Sequence, residues 1–282
     1  METKTKVAYQ GERGAYSEQA AYHFFDQTSE LVPYPTFKSL FEGLDSDEIE
    51  YATIPIENSL AGSVHENYDL LLRHNPKIIG EIFLRISHNL LAVPGTKLSE
   101  IRKIFSHPQA LGQCREFIED LGDVQATPQY DTAGSAKMIA ELNCSDTAAI
   151  ASSCAGTEYN LATLAKSIES NQKNFTRFLI IVKKNASPKA EEKTSIIFST
   201  KDMPGALFKS LAVFALRDIN LLKIESRPFP ERPFQYIFYL DFEGSIKAEA
   251  AKNALRHLEE TTDFVHILGS YPKGKTIENP EF

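Results

Sequence analysis

Short apolar runs alternate with helical apolar stripes along the first two thirds of the chain. The runs predict strands at Lys6–Gln10, Tyr51–Ile56, Ile101–Phe105, Ala148–Ala151 and Phe175–Val182, with a strand pair across Glu81–Val93. The stripes predict helices at Ser17–Phe25, from Pro108 to Leu121, and from Asp131 to Leu142, where Asp131 and Thr132 cap the start. Strands that alternate with helices are typical of an α/β domain with mostly parallel pairing.

A polar, charged stretch, 185–193, has no apolar period and predicts a linker. The pattern after it is strand 194–199, helix 206–217, strands 221–226 and 236–242, helix 246–259 and strand 264–269. This β-α-β-β-α-β order is the ferredoxin-like arrangement. We therefore predict a first domain at 1–184, the linker at 185–193, a second domain at 194–271 and a polar tail at 272–282.

Composition and charge narrow the class of protein. The 282 residues carry a net charge of −8, which argues against a nucleic-acid partner because such partners require a concentrated basic face. No apolar stretch is long enough to span a membrane, and the N-terminus lacks the apolar core of an export signal. The three cysteines are widely spaced, as expected for free thiols in the cytoplasm. The sequence contains no phosphate-binding or dinucleotide fingerprint and no histidine pair with metal-ligand spacing, so we expect no cofactor and no metal.

Polar residues cluster where the predicted strands end. Four segments stand out, at Gly11–Ser17, Glu57–Ser59, Ser106–Gln113 and Asn174–Phe178. The first three are also compatible with tight turns and capped helices. The fourth differs, because Arg177 lies beside a strand that is expected to be buried and so requires an anionic partner or an exit to water. An anionic substrate is one such partner.

These segments together resemble the signature segments of prephenate dehydratases. The resemblance rests on Ile54–Ser59, Ser106-His107-Pro108-Gln109 with Gln113, Thr176-Arg177-Phe178 and the glycine-containing opening with Tyr16 and Ser17. The second domain resembles an ACT domain through Gly205-Ala206-Leu207-Phe208 and Glu225-Ser226-Arg227-Pro228. Two departures touch no group of the expected chemistry: Glu12 follows the first glycine, where proline is common, and Phe208 stands where valine is frequent.

The resemblance implies a two-lobed fold like a type II periplasmic-binding protein, with the active site in the cleft, followed by the ferredoxin-like ACT domain. It implies a carbon–oxygen lyase, specifically a hydro-lyase, that converts prephenate to phenylpyruvate in phenylalanine biosynthesis. Thr176 would assist the departing hydroxyl as a hydrogen-bond donor or through a relay, because threonine is a poor acid. Arg177 would bind a carboxylate or serve the structure. The implied site set comprises Thr176, Arg177, Phe178, Asn58, Ser59, Ser106 and Gln113, of which Asn58, Ser59, Ser106 and Gln113 would orient the substrate.

The ACT resemblance implies that phenylalanine is an allosteric effector. Its site would lie at an interface between ACT domains and would use Gly205, Ala206, Leu207, Asn220, Leu221, Glu225, Ser226, Arg227 and Pro228. Segment 202–205 can also be read as a plain turn before a helix. A site shared between chains implies a homo-oligomer, and the family suggests a tetramer built as a dimer of dimers.

Two alternatives stay open at this stage. An arogenate dehydratase would use the same cleft for a substrate with an amino group, and a carboxylate such as Glu57 would then be favoured near that group. A non-catalytic amino-acid sensor would also combine these two folds, but it would not require Thr176 beside Arg177.

Overall fold

The computed structural model describes residues 4–25, 29–183, 188, 190–229 and 232–278. The described residues belong to two compact units. The first comprises Met1–Asn67, Ile82–Leu179 and Lys275–Phe282, and the second comprises Tyr68–Glu81 and Ile180–Gly274. Within the predicted linker, residues 185–187 and 189 lie outside the described residues, whereas residues 188 and 190–193 are described.

Strands and helices alternate through the first two thirds of the chain, as the apolar pattern predicts. Up to residue 182 the elements are β1 (Lys6–Gln10), α1 (Tyr16–Phe25), β2 (Glu30–Tyr34), α2 (Phe37–Asp45), β3 (Tyr51–Asn58), β4 (Gly62–Ser63), α3 (His65–His74), β5 (Lys77–Arg85), β6 (Asn89–Ala92), β7 (Lys103–Ser106), α4 (Pro108–Gln113), α5 (Arg115–Asp120), β8 (Gln125–Pro128), α6 (Thr132–Leu142), β9 (Thr147–Ala151), α7 (Ser153–Glu158), β10 (Ala162–Ala165) and β11 (Phe175–Val182). From residue 193 they are β12 (Lys193–Thr200), α8 (Ala206–Ala215), β13 (Leu221–Pro228), β14 (Tyr236–Glu243), α9 (Glu249–Thr261), β15 (Thr262–Tyr271) and β16 (Lys275–Ile277).

The first unit is built on two mixed sheets. One has the order β16-β5-β11-β3-β1-β2, with the short β4 beside β3, and the other has the order β10-β6-β9-β7-β8. β1 pairs in parallel with β2 and β3, and β7 pairs in parallel with β8 and β9. β6 pairs antiparallel with β9 and β10, so the pairing is less uniformly parallel than the sequence predicts. Two sheets in the first unit give the two lobes of the periplasmic-binding-protein-like fold.

The five-stranded sheet is covered on both faces. One face packs Leu90, Ile104 and Ile150 against the α4–α5 stripe, in which Cys114 and Ile118 are buried. The other face packs Ala149 and Ala151 against the small residues of α6, such as Ala133 and Ala136. The small side chains let α6 approach the sheet closely, which explains why this helix has an alanine-rich inner face.

The second unit carries the predicted ferredoxin-like module. Its antiparallel sheet has the order β13-β14-β12-β15, and Phe198, Phe214 and Phe242 form its core together with α8 and α9. Lys193 was assigned to the linker, but it begins β12 and is buried. Its ammonium group lies 2.9 Å from the Glu81 carboxylate and 3.5 Å from that of Asp241. A lysine is almost never fully buried without such partners. A charged residue at this position therefore predicts an exposed linker and not a buried strand.

Several elements carry no clear signal in the sequence. The helices α2, α3 and α7 and the short strands β2, β4, β8 and β10 were not predicted. Lys275–Ile277, in the predicted polar tail, forms β16 and pairs in parallel with Ile82–Leu84 of β5. Three residues at a sheet edge have too short a pattern to separate them from a loop. Within the described residues, no helix is both long and apolar enough to cross a bilayer.

Candidate active site

A cavity of about 290 Å³ lies in the first unit. Its wall is formed by strand ends and by the loops that follow them, drawn from both sheets. The lining residues that matter below are Gln10, Gly11, Tyr16, Asn58, His88, His107, Gln113, Asp131, Thr176 and Phe178.

The loop after β1 needs its glycines. Gly11 and Gly14 have φ angles of +113° and +82°, which side-chain-bearing residues rarely adopt. A Cβ atom on Gly14 would also lie 2.5 Å from the Cα atom of Ala155. The Gly14 carbonyl accepts a 2.6 Å hydrogen bond from the Ser152 hydroxyl. The opening loop is therefore held tightly against the start of α7.

Asn58 organises the polar part of the wall. Its Oδ1 atom accepts hydrogen bonds from the amides of Leu60 and Ala61 at 3.0 and 2.8 Å. Because a backbone amide can only donate, these two bonds establish which end of the Asn58 side chain is the oxygen. Its Nδ2 atom consequently donates to Asn174 Oδ1 at 2.7 Å and to Thr176 Oγ1 at 3.0 Å.

This arrangement leaves the Thr176 hydroxyl proton uncommitted. The Oγ1 atom accepts from Asn58, and a hydroxyl has one proton to donate. Thr176 is buried but lines the cavity, so a bound molecule is the available acceptor. The hydroxyl is thus oriented as a hydrogen-bond donor.

The next member of the network is Gln113, whose side-chain oxygen accepts hydrogen bonds from two neighbours. Asn174 Nδ2 donates to Gln113 Oε1 at 3.0 Å, and His88 Nε2 lies 2.9 Å from that oxygen. His88 must therefore carry its proton on Nε2 to donate as well. The Gln113 Nε2 atom is buried and has no hydrogen-bond partner, which makes it a second donor for a bound molecule.

His88 is held as a neutral ring. Burial lowers its pKa, against the raising effects of Gln113 and Glu169. Its Nδ1 atom lies 3.0 Å from the Tyr16 hydroxyl, and the single proton of that hydroxyl is shared between Nδ1 and the Ser87 carbonyl, which lies 2.7 Å away. His88 therefore supports Gln113 from behind and does not supply a positive charge.

The residues predicted from sequence divide into two groups. Thr176, Phe178, Asn58 and Gln113 line the cavity, and Ser59, Ser106, Arg177 and Glu57 do not. Side chains alternate along β11, so Thr176 and Phe178 share one face while Arg177 points to the other.

The two serines form hydrogen bonds within the protein. The Ser106 hydroxyl is buried and donates to the Ile150 carbonyl at 2.6 Å. The Ser59 hydroxyl donates to the Lys173 carbonyl and accepts from the Phe175 amide. Both therefore hold strands and loops together at the places from which the cavity is built.

The sequence reading missed His88 and Asn174 as members of the network and Asp131 as a lining residue. His88 lies in the turn between two predicted strands, and Asn174 stands two positions before Thr176. Asp131 was assigned only as a helix cap. The only feature of the sequence that could indicate a role in the cavity is that each of these positions carries a polar side chain.

The predicted effector residues are distributed over the second unit. Gly205, Ala206 and Leu207 line a cavity of about 310 Å³ together with Phe208 and Tyr236. Gly205 has a φ angle of +74° at the start of α8. The other six predicted residues do not line this cavity.

Two of the β13-side residues have clear partners. The Arg227 guanidinium forms a fork with Asp69, at 2.8 and 3.2 Å, and Asn220 donates to Glu243 at 3.2 Å. Leu221, Glu225, Ser226 and Pro228 lie on β13, which is an edge strand of the sheet.

Comparison with known proteins identifies both parts of the chain. Residues 7–186 match the family described as prephenate dehydratase, and residues 194–260 match the ACT domain. Among curated proteins, arogenate dehydratase/prephenate dehydratase 2, chloroplastic, from Arabidopsis thaliana is 48% identical over 286 residues, which cover 98% of this chain and 74% of that protein.

Solved structures give the same fold. Prephenate dehydratase from Arthrobacter aurescens in complex with L-Phe is 30% identical, with a TM-score of 0.87 over 95% of this chain and 89% of that one. A structure described as GqqA, a novel type of quorum quenching acylase, is 33% identical, with a TM-score of 0.87 over 95% of this chain and 98% of that one. With a matching family over its first 180 residues or so and a relative that it resembles from end to end, the chain belongs to the prephenate/arogenate dehydratase family and is a hydro-lyase with an ACT domain.

Proposed function

We propose that the chain catalyses the decarboxylating dehydration of prephenate or of its amino counterpart, arogenate. The observation that carries this proposal is the Thr176 hydroxyl, whose oxygen accepts from Asn58 and whose proton is free to face a bound molecule. The products would be phenylpyruvate from prephenate and phenylalanine from arogenate, each with one water and one carbon dioxide.

The reaction requires two bonds of the substrate ring to break. The ring C–O bond breaks with its electron pair going to the departing hydroxyl oxygen. The bond between the ring and its carboxylate breaks as carbon dioxide leaves, and that electron pair enters the ring, which becomes aromatic. The departing hydroxide gains a proton from solvent, so that water is the product.

Thr176 assists the first of these events. Its hydroxyl donates a hydrogen bond to the departing oxygen, where negative charge develops, and the low polarity of the surrounding wall strengthens that bond. Phe178, Phe37 and Ile86 contribute apolar surface to this wall. Full proton transfer from threonine is not required, which suits a group that is a poor acid.

Gln113 is positioned to hold a substrate oxygen. Gln113 lines the same cavity as Thr176, its Nε2 donor completes no hydrogen bond, and His88 and Asn174 hold its oxygen. A substrate held by two preset donors loses little further freedom on the way to the transition state. Arg177 and Ser106 do not line the cavity, so we assign them no contact with the substrate.

The ACT domain is proposed to bind phenylalanine and to alter turnover. The relative from Arthrobacter aurescens is described as a complex with L-Phe, and this chain has a cavity at Gly205–Leu207 where the ACT resemblance expects one half of that site. The other half would come from β13 of a second copy. A homo-oligomer, at least a dimer and by family expectation a tetramer, follows from this proposal. A cytoplasmic location likewise stays a prediction.

Amide hydrolysis is a weaker candidate. The structural relative described as an acylase suggests it, but that chemistry needs a nucleophile activated by a base. Among the described residues of the cavity, Thr176 forms no hydrogen bond to a histidine, and His88 is bonded to Tyr16 and Gln113 instead.

The test is a direct assay of the purified chain with prephenate and with arogenate, with and without phenylalanine. We expect phenylpyruvate from the first or phenylalanine from the second, and a change in turnover when phenylalanine is added to the prephenate assay. Failure to consume either compound, in protein whose melting transition shows that it is folded, would reject the proposed reaction.

A further inference from the structure

The proposed reaction does not use the carboxylate of Asp131, although this side chain lines the cavity. Asp131 stands at the N-cap of α6, where its Oδ1 atom accepts a hydrogen bond from the Gly134 amide. Its Oδ2 atom is buried and completes no hydrogen bond. Capping therefore accounts for one oxygen of this carboxylate, and the other completes no hydrogen bond of normal geometry, although the Glu12 amide lies close to the carboxyl group.

Among the described residues, no lysine or arginine forms an ion pair with Asp131, and the cationic groups that act on it are His107 and the more remote Lys137. Among the described residues that line the cavity, Asp131 is the only acidic residue, and neither lysine nor arginine is present. The nearest loop cations are already paired. Lys137 lies 3.0 Å from the Glu12 carboxylate, and Arg13 lies 3.5 Å from that of Glu158. Tyr130, the residue before Asp131, donates to Glu12 as well.

This environment opposes a charged carboxylate. Burial raises the pKa of the Asp131 carboxyl, and the amides of Gly134 and Glu12 and the nearby His107 offset only part of that effect. A buried carboxylate without a cation is costly, and a ligand that brings a positive charge would relieve the cost.

The two possible substrates differ at one group. Arogenate carries an ammonium group where prephenate carries a keto oxygen. The ammonium group donates hydrogen bonds and has the charge that Asp131 lacks nearby, whereas the keto oxygen is an acceptor and would face a second acceptor. Arogenate also has one negative charge fewer in total, which suits a wall without lysine or arginine.

We propose that Asp131 is a specificity-determining residue that binds the ammonium group of the substrate, so that the chain prefers arogenate to prephenate. This inference rests on the proposed function and names the substrate within it. It assigns to Asp131 the role that the sequence reading had considered for Glu57, which does not line the cavity.

The decisive variant is Asp131→Asn. Asparagine is as good an N-cap as aspartate and keeps the oxygen that accepts from Gly134, so the helix should be retained. We expect the ratio of kcat/KM for arogenate to kcat/KM for prephenate to fall by about 10- to 100-fold, the range of a lost charge-assisted hydrogen bond. Turnover of prephenate should fall by much less than turnover of arogenate.

The matched control is Glu12→Gln. This change removes a carboxylate from the neighbouring loop, but that carboxylate is already paired with Lys137 and does not line the cavity. We expect the ratio to stay within about twofold of the unmodified chain, since the pair is partly exposed and worth little. A similar fall in both variants would indicate a general charge effect and would overturn the assignment of Asp131.

Two further results would also overturn the inference. One is an unmodified chain that prefers prephenate. The other is an Asp131→Asn variant that loses both activities equally, because that result would show that Asp131 only caps α6.

If the unmodified chain turns over neither compound, the proposed reaction is wrong, and the inference about Asp131 is then tested separately by calorimetric binding. Arogenate must then bind more tightly than prephenate in the unmodified chain, and Asp131→Asn must abolish the difference. Equal binding of the two compounds would refute it.

Discussion

At the scale of single residues, the orientation of one side-chain amide determines the chemistry of the cavity. Two backbone amides establish which end of Asn58 is oxygen, and every later donor in the network follows from that choice. The result is two residues of the cavity wall, Thr176 and Gln113, that each keep a donor without an acceptor in the protein. A departing hydroxide is an acceptor, so the arrangement matches the proposed reaction.

Replacement of Thr176 tests that match. We expect Thr176→Ala to lower kcat by about 100- to 1,000-fold, the usual cost of one oriented donor to developing charge. Thr176→Ser keeps the hydroxyl and should retain activity to within about tenfold of the unmodified chain. Steady-state kinetics with both substrates measure the effect, and thermal melting shows that the variants fold. An alanine variant with normal turnover would remove Thr176 from the mechanism.

At the scale of elements, α3 carries a partner for the strand that was expected to contact the effector. Val64 lines the cavity immediately before α3, and Asp69 on α3 forms the two-pronged pair with Arg227 of β13. Arg227 therefore has a partner within its own chain. A forked arginine–carboxylate pair restricts both groups in orientation, so we expect Asp69 to hold Arg227 in place on β13.

We expect Asp69→Asn to weaken the response to phenylalanine while phenylalanine still binds. The maximal effect on turnover should fall by about fivefold or more, the lower end of typical coupling between sites. The matched control is Asp263→Asn, which breaks the exposed pair with Arg232 in the same unit, at 2.8 Å. Binding is followed by calorimetry and coupling by the change in turnover. The same response in both variants would exclude a role of the Asp69–Arg227 pair in the response.

The buried pair between Lys193 and Glu81 makes a separate prediction about stability. Lys193→Met keeps the length and apolar stem of the side chain but leaves the Glu81 and Asp241 carboxylates buried without the cation. We expect the free energy of unfolding to fall by about 3–5 kcal/mol, as for other buried pairs that lose one partner. Chemical denaturation measures it. A loss below about 1 kcal/mol would mean that water replaces the lysine without cost.

At the scale of the whole molecule, the second unit exposes more apolar surface than a monomer requires. Phe208 on α8 and Phe234 before β14 are 76% and 96% exposed, and both line the cavity at Gly205. Leu222 and Ile224 on the edge strand β13 are also exposed. Large exposed apolar residues near one another are typical of interaction surfaces. We therefore expect a second copy to pack against the surface around Phe208 and Phe234.

Light scattering after size-exclusion chromatography tests this expectation. We expect the unmodified chain to be at least a dimer, and Phe208→Asp to shift it toward the monomer and abolish the response to phenylalanine. Leu216→Asp changes an equally exposed apolar residue, 78% exposed, that follows α8 but does not line the cavity. It should leave the mass unchanged. A Phe208→Asp variant with the unmodified mass would show that copies do not meet at this face.

The sequence by itself determined the fold class, the order of the domains and the family. These follow from periods of two and 3.6 residues, from caps and turns, and from motif order, all of which depend on residues close together in the chain. The alternation of side chains along β11 also predicts that Thr176 and Phe178 lie on one face and Arg177 on the other, although the motif suggests that all three act together. Short elements such as β16 and charged core residues such as Lys193 could not be predicted, because their local sequence pattern resembles that of a loop.

Only the tertiary structure decided which polar groups meet. Asn58 lies 116 residues from Asn174, and Asn174 lies 61 residues from Gln113, so no local pattern could show that one amide orients the next. The same holds for Asp131, whose sequence context reveals a cap and not an unpaired oxygen in a cavity wall. The physical reason is that hydrogen-bond direction and burial are properties of neighbours in space, and those neighbours exist only once the strand ends of two sheets have come together.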